Sequence, residues 1–461
     1  PTSVLWFRRD LRLTDHPALL AAADAGPGGV LPLFVVDPAL WGPAGTARRA
    51  YLARSLAALD AALGGHLHVR YGDPRTVVAE VSASVRADSV HVSADFGPYG
   101  SGRDAAVATV LAGDGRRLVR TGSPYAVSPG RVRKDDGTPY RVFTPYFRAW
   151  SEHGWRRPAG GPPVDLQWLH LAGGRQRLLL PDDPGDPISA SVPPGAGEAA
   201  ALLRWQRFRD GALAFYAEHR DRPDLAGTSA LSAALRWGEI HPRTLLADMP
   251  PTGRGPETFR KELAWREFYA DVLHHDPGSA RLSLRPALAR LAYDHGPVAD
   301  RRFAAWCEGR TGYPFVDAGM RQLRAEGWMH NRVRMVVASF LVKDLHLDWI
   351  RGARWFMQSL VDGDLASNQH GWQWVAGTGT DAAPYFRVFN PVGQGRRFDP
   401  DGVYVRRYVC ELADLAGPLA HEPWRAPGGG PPTYPERIVD HAEERAIALQ
   451  RYADVTAAGN A

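Results

Sequence analysis

A chain of 461 residues with 44% hydrophobic content and 15 tryptophans can bury more than one core, which excludes a small stapled module and favours two or three domains. Its net charge of +5 and pI near 9.3 permit a polyanionic partner, although an arginine-for-lysine bias accounts for the same figures. Two distant cysteines, Cys307 and Cys410, exclude a disulfide framework or thiolate metal site and fit a reducing, cytoplasmic setting. No apolar run is long enough to span a bilayer, and the N-terminal VLWF followed by charges does not read as a signal peptide, so a cytoplasmic monomer with no membrane partner is expected.

From residue 1 to about 126 the chain alternates β-rich runs (SVLWF, VLPLFVV, LHVRY, SVHVSA, RLVRT) with alanine-rich helical stretches at 46–63, 74–86 and 101–113. That alternation predicts an α/β fold, a doubly wound parallel five-stranded sheet. Residues 127–195 turn to Pro, Gly and Arg and read as a long interdomain linker with little regular structure. From 196 to 461 strand signals nearly vanish, which predicts an all-α domain ending in a short helix at 442–452.

Chemistry concentrates in that second half. In DGDLASNQHGWQW, Asp364, Asn368 and Trp372 fall at i, i+4 and i+8 on one helical stripe. A carboxylate and an amide among indoles make poor core but suit a large polar cofactor. Glu262, Trp265, Arg266 and Tyr269 repeat the pattern in KELAWREFYADVL, as do Asn331 and Met335 in GWMHNRVRM. The TSALS segment, Thr228–Ser232, places hydroxyls at a helix start, which suits either an ordinary N-cap or a diphosphate cradle. Gly100-Ser-Gly102 and Gly377-Thr-Gly379 imitate a dinucleotide fingerprint. The first follows a strand and keeps a nicotinamide oxidoreductase open as an alternative; the second reads as a turn. His421-Glu422 lacks a second histidine, and His274-His275 lacks a carboxylate at metal spacing, so no metal site is expected.

ELAWREFY, RTGYPFVDAGMRQL, GWMHNRVRM, FLVKDL, DGDLASNQHGWQW and TGTDAAPYFRVFNP, with LWFRRDLRLTDHPAL and HEPW near the two ends, closely resemble the photolyase/cryptochrome family, in its bacterial class I cyclobutane-dimer branch. The resemblance implies an antenna-binding N-terminal domain at 1–126 and an FAD-binding catalytic domain at 196–461. It surrounds a U-shaped FAD with Tyr216, Arg220, Thr228, Ser229, Leu231 and Ser232, although Ala230 stands where the family has a basic residue. It puts Arg334, Asp362 and Asp364 around the flavin ring and Asn368 at its N5 edge, where plant cryptochromes carry an acid. The amide therefore points to repair, and a signalling flavoprotein is the alternative.

By the same resemblance the substrate is a pyrimidine dimer in DNA, flipped out of the stack and held by Trp265 and Trp374 with Tyr269 beside them. Glu262 and Asn331 would bond the base edges, and Met335 would pack where six-four enzymes place a histidine. Arg332, Arg387, Gln394, Arg396 and Arg397 would meet phosphates. Trp372, Trp349 and Tyr293 match the family's electron-transfer chain, with Trp306 as the other choice for its end. Asp37, Arg48 and Asp95 are the antenna contacts, with 8-hydroxydeazaflavin favoured over methenyltetrahydrofolate.

Overall fold

Thr2–Phe7 forms strand β1, flanked in one parallel sheet by β2 (Val30–Val36), β3 (His68–Tyr71), β4 (Ala87–Val92) and β5 (Arg117–Arg120), ordered β3-β2-β1-β4-β5. β1 and β2 are nearly continuous apolar runs because helices cover both faces of a parallel sheet. Val4 pairs with Leu31 on one side and Val90 on the other, and these three belong to the core of this layer. Strand order reverses between β1 and β4, which opens a crevice at their carboxyl ends. The expected helices appear as Thr46–Ala62, Pro74–Ser84 and Pro98–Gly113, joined by Pro17–Ala25, which the sequence reading passed over.

The computed structural model describes residues 1–171, 195–380, 386–415 and 417–458. They divide into two units: Pro1–Tyr140, Thr144–Gly211 and Ser229–Pro277 in the first, and Arg141–Phe143, Ala212–Thr228 and Gly278–Ala461 in the second. The linker reading needs one correction, since 127–195 contains the helix Phe143–His153. Its buried Phe143, Tyr146 and Trp150 recur at helical spacing, and Pro145 falls in the first turn, where no intrahelical N–H is needed. Leu169 N then bonds Val30 O at 2.9 Å, tying the segment to the sheet. The Pro/Gly stretch 172–194 lies outside the described residues.

In the second unit, helices Pro314–Glu326, Asn331–Lys343, Trp349–Ser359 and Leu365–Ala376 enclose a core that includes Trp306, Met320, Phe340 and Trp372. Every strand among the described residues belongs to the first unit. The last helix is His441–Ala458, longer than the sequence suggested. His441 meets Asp344 at 2.5 Å and His346 meets Glu444 at 2.7 Å, which anchors its first turn.

Candidate functional site

Asp364 caps helix Leu365–Ala376, its carboxylate accepting from Ser367 N at 3.1 Å, and Gly377 closes the helix at φ 83°. Asn368 and Trp372 follow one and two turns on. Helix Asn331–Lys343 begins after His330, whose Nδ1 accepts from Arg332 N at 3.2 Å. Burial pushes the His330 imidazole down to about 4, so it stays neutral and able to accept. These segments line one cavity of about 150 Å³ with Asn331, Arg334, Met335, Asp362, Asp364, Asn368 and Trp372 on its wall.

The polar bookkeeping of that wall is incomplete. Arg334 donates through Nη2 to Asp362 Oδ2 at 2.7 Å and through Nε to Met329 O at 2.8 Å. Asp362 Oδ1 and Trp372 Nε1 are buried without a partner among the described residues. A buried acceptor and a buried donor left open are costly unless a ligand completes them. The chemistry fits a flat heterocycle carrying both donors and acceptors, such as the flavin ring. Asn368 Nδ2 already donates to Ala353 O at 3.0 Å and Gln369 Oε1 at 2.8 Å, so its Oδ1 is the atom it has to offer.

Behind the wall the aromatic network differs from a simple line. Gly352 lets the Trp349–Ser359 helix touch Trp372, since a Cβ there would lie 2.1 Å from Trp372 Cη2. Trp349 is buried in the same core, and the rings packed edge-on against Trp372 include Phe356 at 5.0 Å and the fully buried Trp306 at 6.1 Å. Tyr293 is half-buried at the margin of that core, and burial with the Asp348 carboxylate pushes its hydroxyl above the ordinary range. Trp374 is a further half-buried ring packed on this core.

In the first unit, helix Arg254–His275 carries Glu262, Trp265 and Tyr269 on one partly exposed stripe, with Trp265 and Tyr269 centroids 5.3 Å apart. Arg266, which falls on the same stripe by spacing, instead donates to Pro124 O at 3.1 Å and Leu235 O at 3.2 Å. The opposite face holds two buried carboxylates the sequence reading missed. Glu267 accepts from Ala126 N, from Val127 N at 3.0 Å and from Trp150 Nε1 at 2.7 Å. Asp271 accepts from Gly130 N at 2.6 Å and lies 3.7 Å from His275, so a carboxylate does stand one turn before the histidine pair. An acid amid the apolar face was the available signal for both. Among the described residues no group of three His, Cys, Asp or Glu is arranged for a metal.

At TSALS the ordinary cap reading fails. Leu231 occupies the N-cap of helix Ser232–Trp237 and no side chain caps it. Ser229 Oγ accepts from Leu231 N at 3.4 Å, and Ala230 sits at φ 49°. Tyr216 is buried with Arg220 5.9 Å over its ring. Of the expected phosphate contacts, Arg332 bonds Asp221 at 2.9 Å and Arg396 pairs with Glu422. Arg397 is exposed over Phe398 with no ion pair among the described residues, and Gln394 Oε1 is buried without a partner. The Arg387 side chain is exposed, and its carbonyl accepts from the buried Lys343.

Near the sheet, Asp37 accepts from Ala39 N at 3.0 Å and from Tyr99 Oη at 2.6 Å, and Arg48 lies on helix Thr46–Ala62. Asp95 accepts from Gly97 N at 3.1 Å and Arg103 at 3.4 Å; nearby arginines hold it below the usual carboxylate range against its burial. A Cβ on Gly100 would lie 2.1 Å from Asp95 Oδ2, so this glycine makes room for the protein's own carboxylate rather than a pyrophosphate. The nicotinamide alternative thereby loses its motif. The second decoy is a helix end at Gly377, with Asp381 and Ala382 outside the described residues.

A doubly wound sheet unit and a helical unit with a polar-walled cavity suited to a donor- and acceptor-bearing heterocycle are the two parts of this chain, and comparison with known proteins gives the class. Residues 3–163 match the family model described as DNA photolyase, and residues 259–454 match the FAD binding domain of DNA photolyase. The chain is 43% identical to a deoxyribodipyrimidine photo-lyase of Streptomyces griseus, over 96% of this chain and 97% of that one. It superposes with TM-score 0.89 and 38% identity on a bacterial class III photolyase from Agrobacterium tumefaciens, covering 99% and 98% of the two chains. An archaeal photolyase from Sulfolobus tokodaii, solved with two FAD molecules, gives TM-score 0.81 at 28% identity over 98% and 100%. The chain belongs to the DNA photolyase/cryptochrome family. The class I assignment does not follow, because a structure this similar is that of a class III photolyase.

Proposed function

We propose that this protein is a deoxyribodipyrimidine photolyase, repairing cyclobutane pyrimidine dimers in DNA by light-driven electron transfer from reduced FAD to the flipped-out dimer. The observation that carries this reading is the helical cavity that joins Asn331 and Met335 to Asp362 Oδ1 and Trp372 Nε1, two buried polar atoms without partners among the described residues. When bound there, FAD supplies the electron and the light absorption. The residues position and tune it. Arg334 and Asp362 form a fixed ion pair on the wall, Asp364 holds the helix start, and Asn368 offers its oxygen to an N–H on the ring. Tyr216, Arg220, Thr228, Ser229, Leu231 and Ser232 hold the remainder of FAD.

Trp265 and Trp374 stack on the dimer, contributing about 1–3 kcal/mol each and offsetting the cost of flipping, about a few kcal/mol. Glu262 and Asn331 hydrogen-bond the base edges with Tyr269 and Met335 beside them. Among the cations, Arg397 is a stronger phosphate contact than Arg332 and Arg396, which already answer Asp221 and Glu422. Residues 1–126 carry a second chromophore at Asp37, Arg48 and Asp95, 8-hydroxydeazaflavin in preference to methenyltetrahydrofolate, and 127–195 link that part to the FAD-binding 196–461. The protein works as a cytoplasmic monomer. An asparagine at 368 favours this reading over a cryptochrome-like flavoprotein without repair.

Binding to dimer-containing duplex separates these roles. Trp265→Ala loses discrimination between damaged and undamaged DNA, whereas Arg397→Ala weakens both and flattens the salt dependence. Equal loss of discrimination in the two variants contradicts the assignment of the lesion-reading residue.

A further inference from the structure

A larger cavity, about 780 Å³, opens in the first unit at the carboxyl edge of the sheet, with Ala94 beyond β4 and Gly122 and Ser123 beyond β5 on its wall. It shares no residue with the flavin cavity and includes none of Asp37, Arg48 or Asp95. Its size falls within the range of small-molecule sites, and the carboxyl edge near a strand-order reversal is where open α/β sheets bind ligands.

The composition of the wall is selective. Arg131, Arg156, Arg243 and His153 line it, and no Asp or Glu does among the described residues. In a chain that nearly balances 55 basic with 50 acidic residues, this is a concentrated cationic surface. Arg131 and Arg156 are exposed and have no ion-pair partner among the described residues. Arg243 spends Nη2 on Asp15 at 2.6 Å, yet its Nε is buried without a partner among the described residues. Three aromatic rings complete the wall: Phe96, Tyr125 and Trp155. Trp155 is backed by Trp150 at 4.6 Å, and Phe96 meets Tyr125 edge-on at 6.4 Å.

The wall is also held in place before any ligand arrives. Glu267 fixes the backbone of Ala126 and Val127, Asp271 fixes Gly130, and His241 Nε2 bonds Ser123 O at 2.8 Å. Three buried side chains thus pin the loop that presents Arg131, which lowers the ordering cost of binding. A bare anion would leave the aromatic wall unused, and an apolar ligand would leave the arginines unanswered.

We propose that this cavity binds a nucleotide-type anion, an aromatic ring bearing phosphate, supplied as a free mononucleotide or as one nucleotide of a DNA strand. The site stands independently of the repair assignment. FAD-loaded protein titrated with N-methylanthraniloyl-AMP, and separately with a short dimer-free fluorescent oligonucleotide, tests it. Saturable binding by at least one probe is expected, weakened about tenfold or more in Arg131→Gln/Arg156→Gln and reduced in Trp155→Leu, with FAD absorbance per chain unchanged as the check on folding. Saturation by the mononucleotide identifies a free nucleotide as the source, and saturation by the oligonucleotide alone identifies the strand. Absence of saturable binding by both probes, or binding unchanged in both variants, overturns the proposal.

Discussion

Trp306 lies edge-on against Trp372, ring centroids 6.1 Å apart and planes at 69°, while Phe356 packs on both rings. Because Trp306 is fully buried, charge that reaches it has not reached solvent. Tyr293, half-buried with the Asp348 carboxylate acting on it, is better placed to hold charge at the margin of the core. On transient absorption, Trp372→Phe should abolish most light-driven reduction of bound FAD. Tyr293→Phe should shorten the lifetime of the charge-separated state and leave the first step intact. Unchanged kinetics in Tyr293→Phe would remove it from the pathway and leave Trp306 or Trp349 as the end.

Arg334→Ala should strip from Asp362 its one donor among the described residues and leave a carboxylate buried without it. The Arg334 side chain is 23% exposed, so part of the usual penalty for breaking a buried pair is screened, and about 2–3 kcal/mol of destabilisation is expected. FAD retained per chain after gel filtration should fall with it. Asp362→Asn on the Arg334→Ala background removes the orphaned charge and should recover stability more than it recovers FAD.

Gly352→Ala tests the contact that seats Trp372. The added Cβ would lie 2.1 Å from Trp372 Cη2 and 2.5 Å from Leu341 Cδ2, so helix and indole cannot both stay in place. About 1–3 kcal/mol of destabilisation is expected from such overpacking, measurable by urea unfolding, together with slower light-driven reduction of FAD.

His330 gives the fold an acid-sensitive joint. Its ordinary pKa of 6.5 falls to about 4 in the folded chain, so the unfolded chain takes up the proton first as pH drops. Its contribution is complete above about 6.5 and is lost toward about 4, costing about 2 kcal/mol by pH 5. His330→Asn keeps a cap acceptor without the titration. The stability difference between neutral and mildly acid solution should therefore narrow in that variant, and an unchanged difference would place the sensitivity elsewhere.

The sheet was legible because each strand is a short β-rich run separated from the next by a helical stretch, and β1 to β5 fall within two residues of where the pattern placed them. The cavity wall was legible for a related reason: Asp364, Asn368 and Trp372 break the apolar rule at helical spacing, and a broken rule at regular spacing marks a ligand. Arg266 shares that spacing but turns to backbone carbonyls, which one-dimensional spacing cannot reveal. Helix Phe143–His153 was hidden by the Pro and Gly on either side of it. Glu267 and Asp271 were hidden because a buried acid that satisfies backbone N–H groups looks like any surface acid until the loop it holds is known. The pairing of Arg396 with Glu422 joins residues 26 positions apart, and nothing local to either announces it.

The central claim, that one chain couples light absorbed by reduced FAD to reversal of a cyclobutane dimer, is tested most directly by repair of a defined oligonucleotide. FAD-reduced protein is mixed with strands carrying either a cyclobutane thymine dimer or a six-four lesion, and each mixture is kept dark or illuminated. The account predicts that intact thymines return only in the illuminated cyclobutane sample. Dimers that persist in the light, repair that proceeds equally in darkness, or repair of the six-four lesion instead would contradict it.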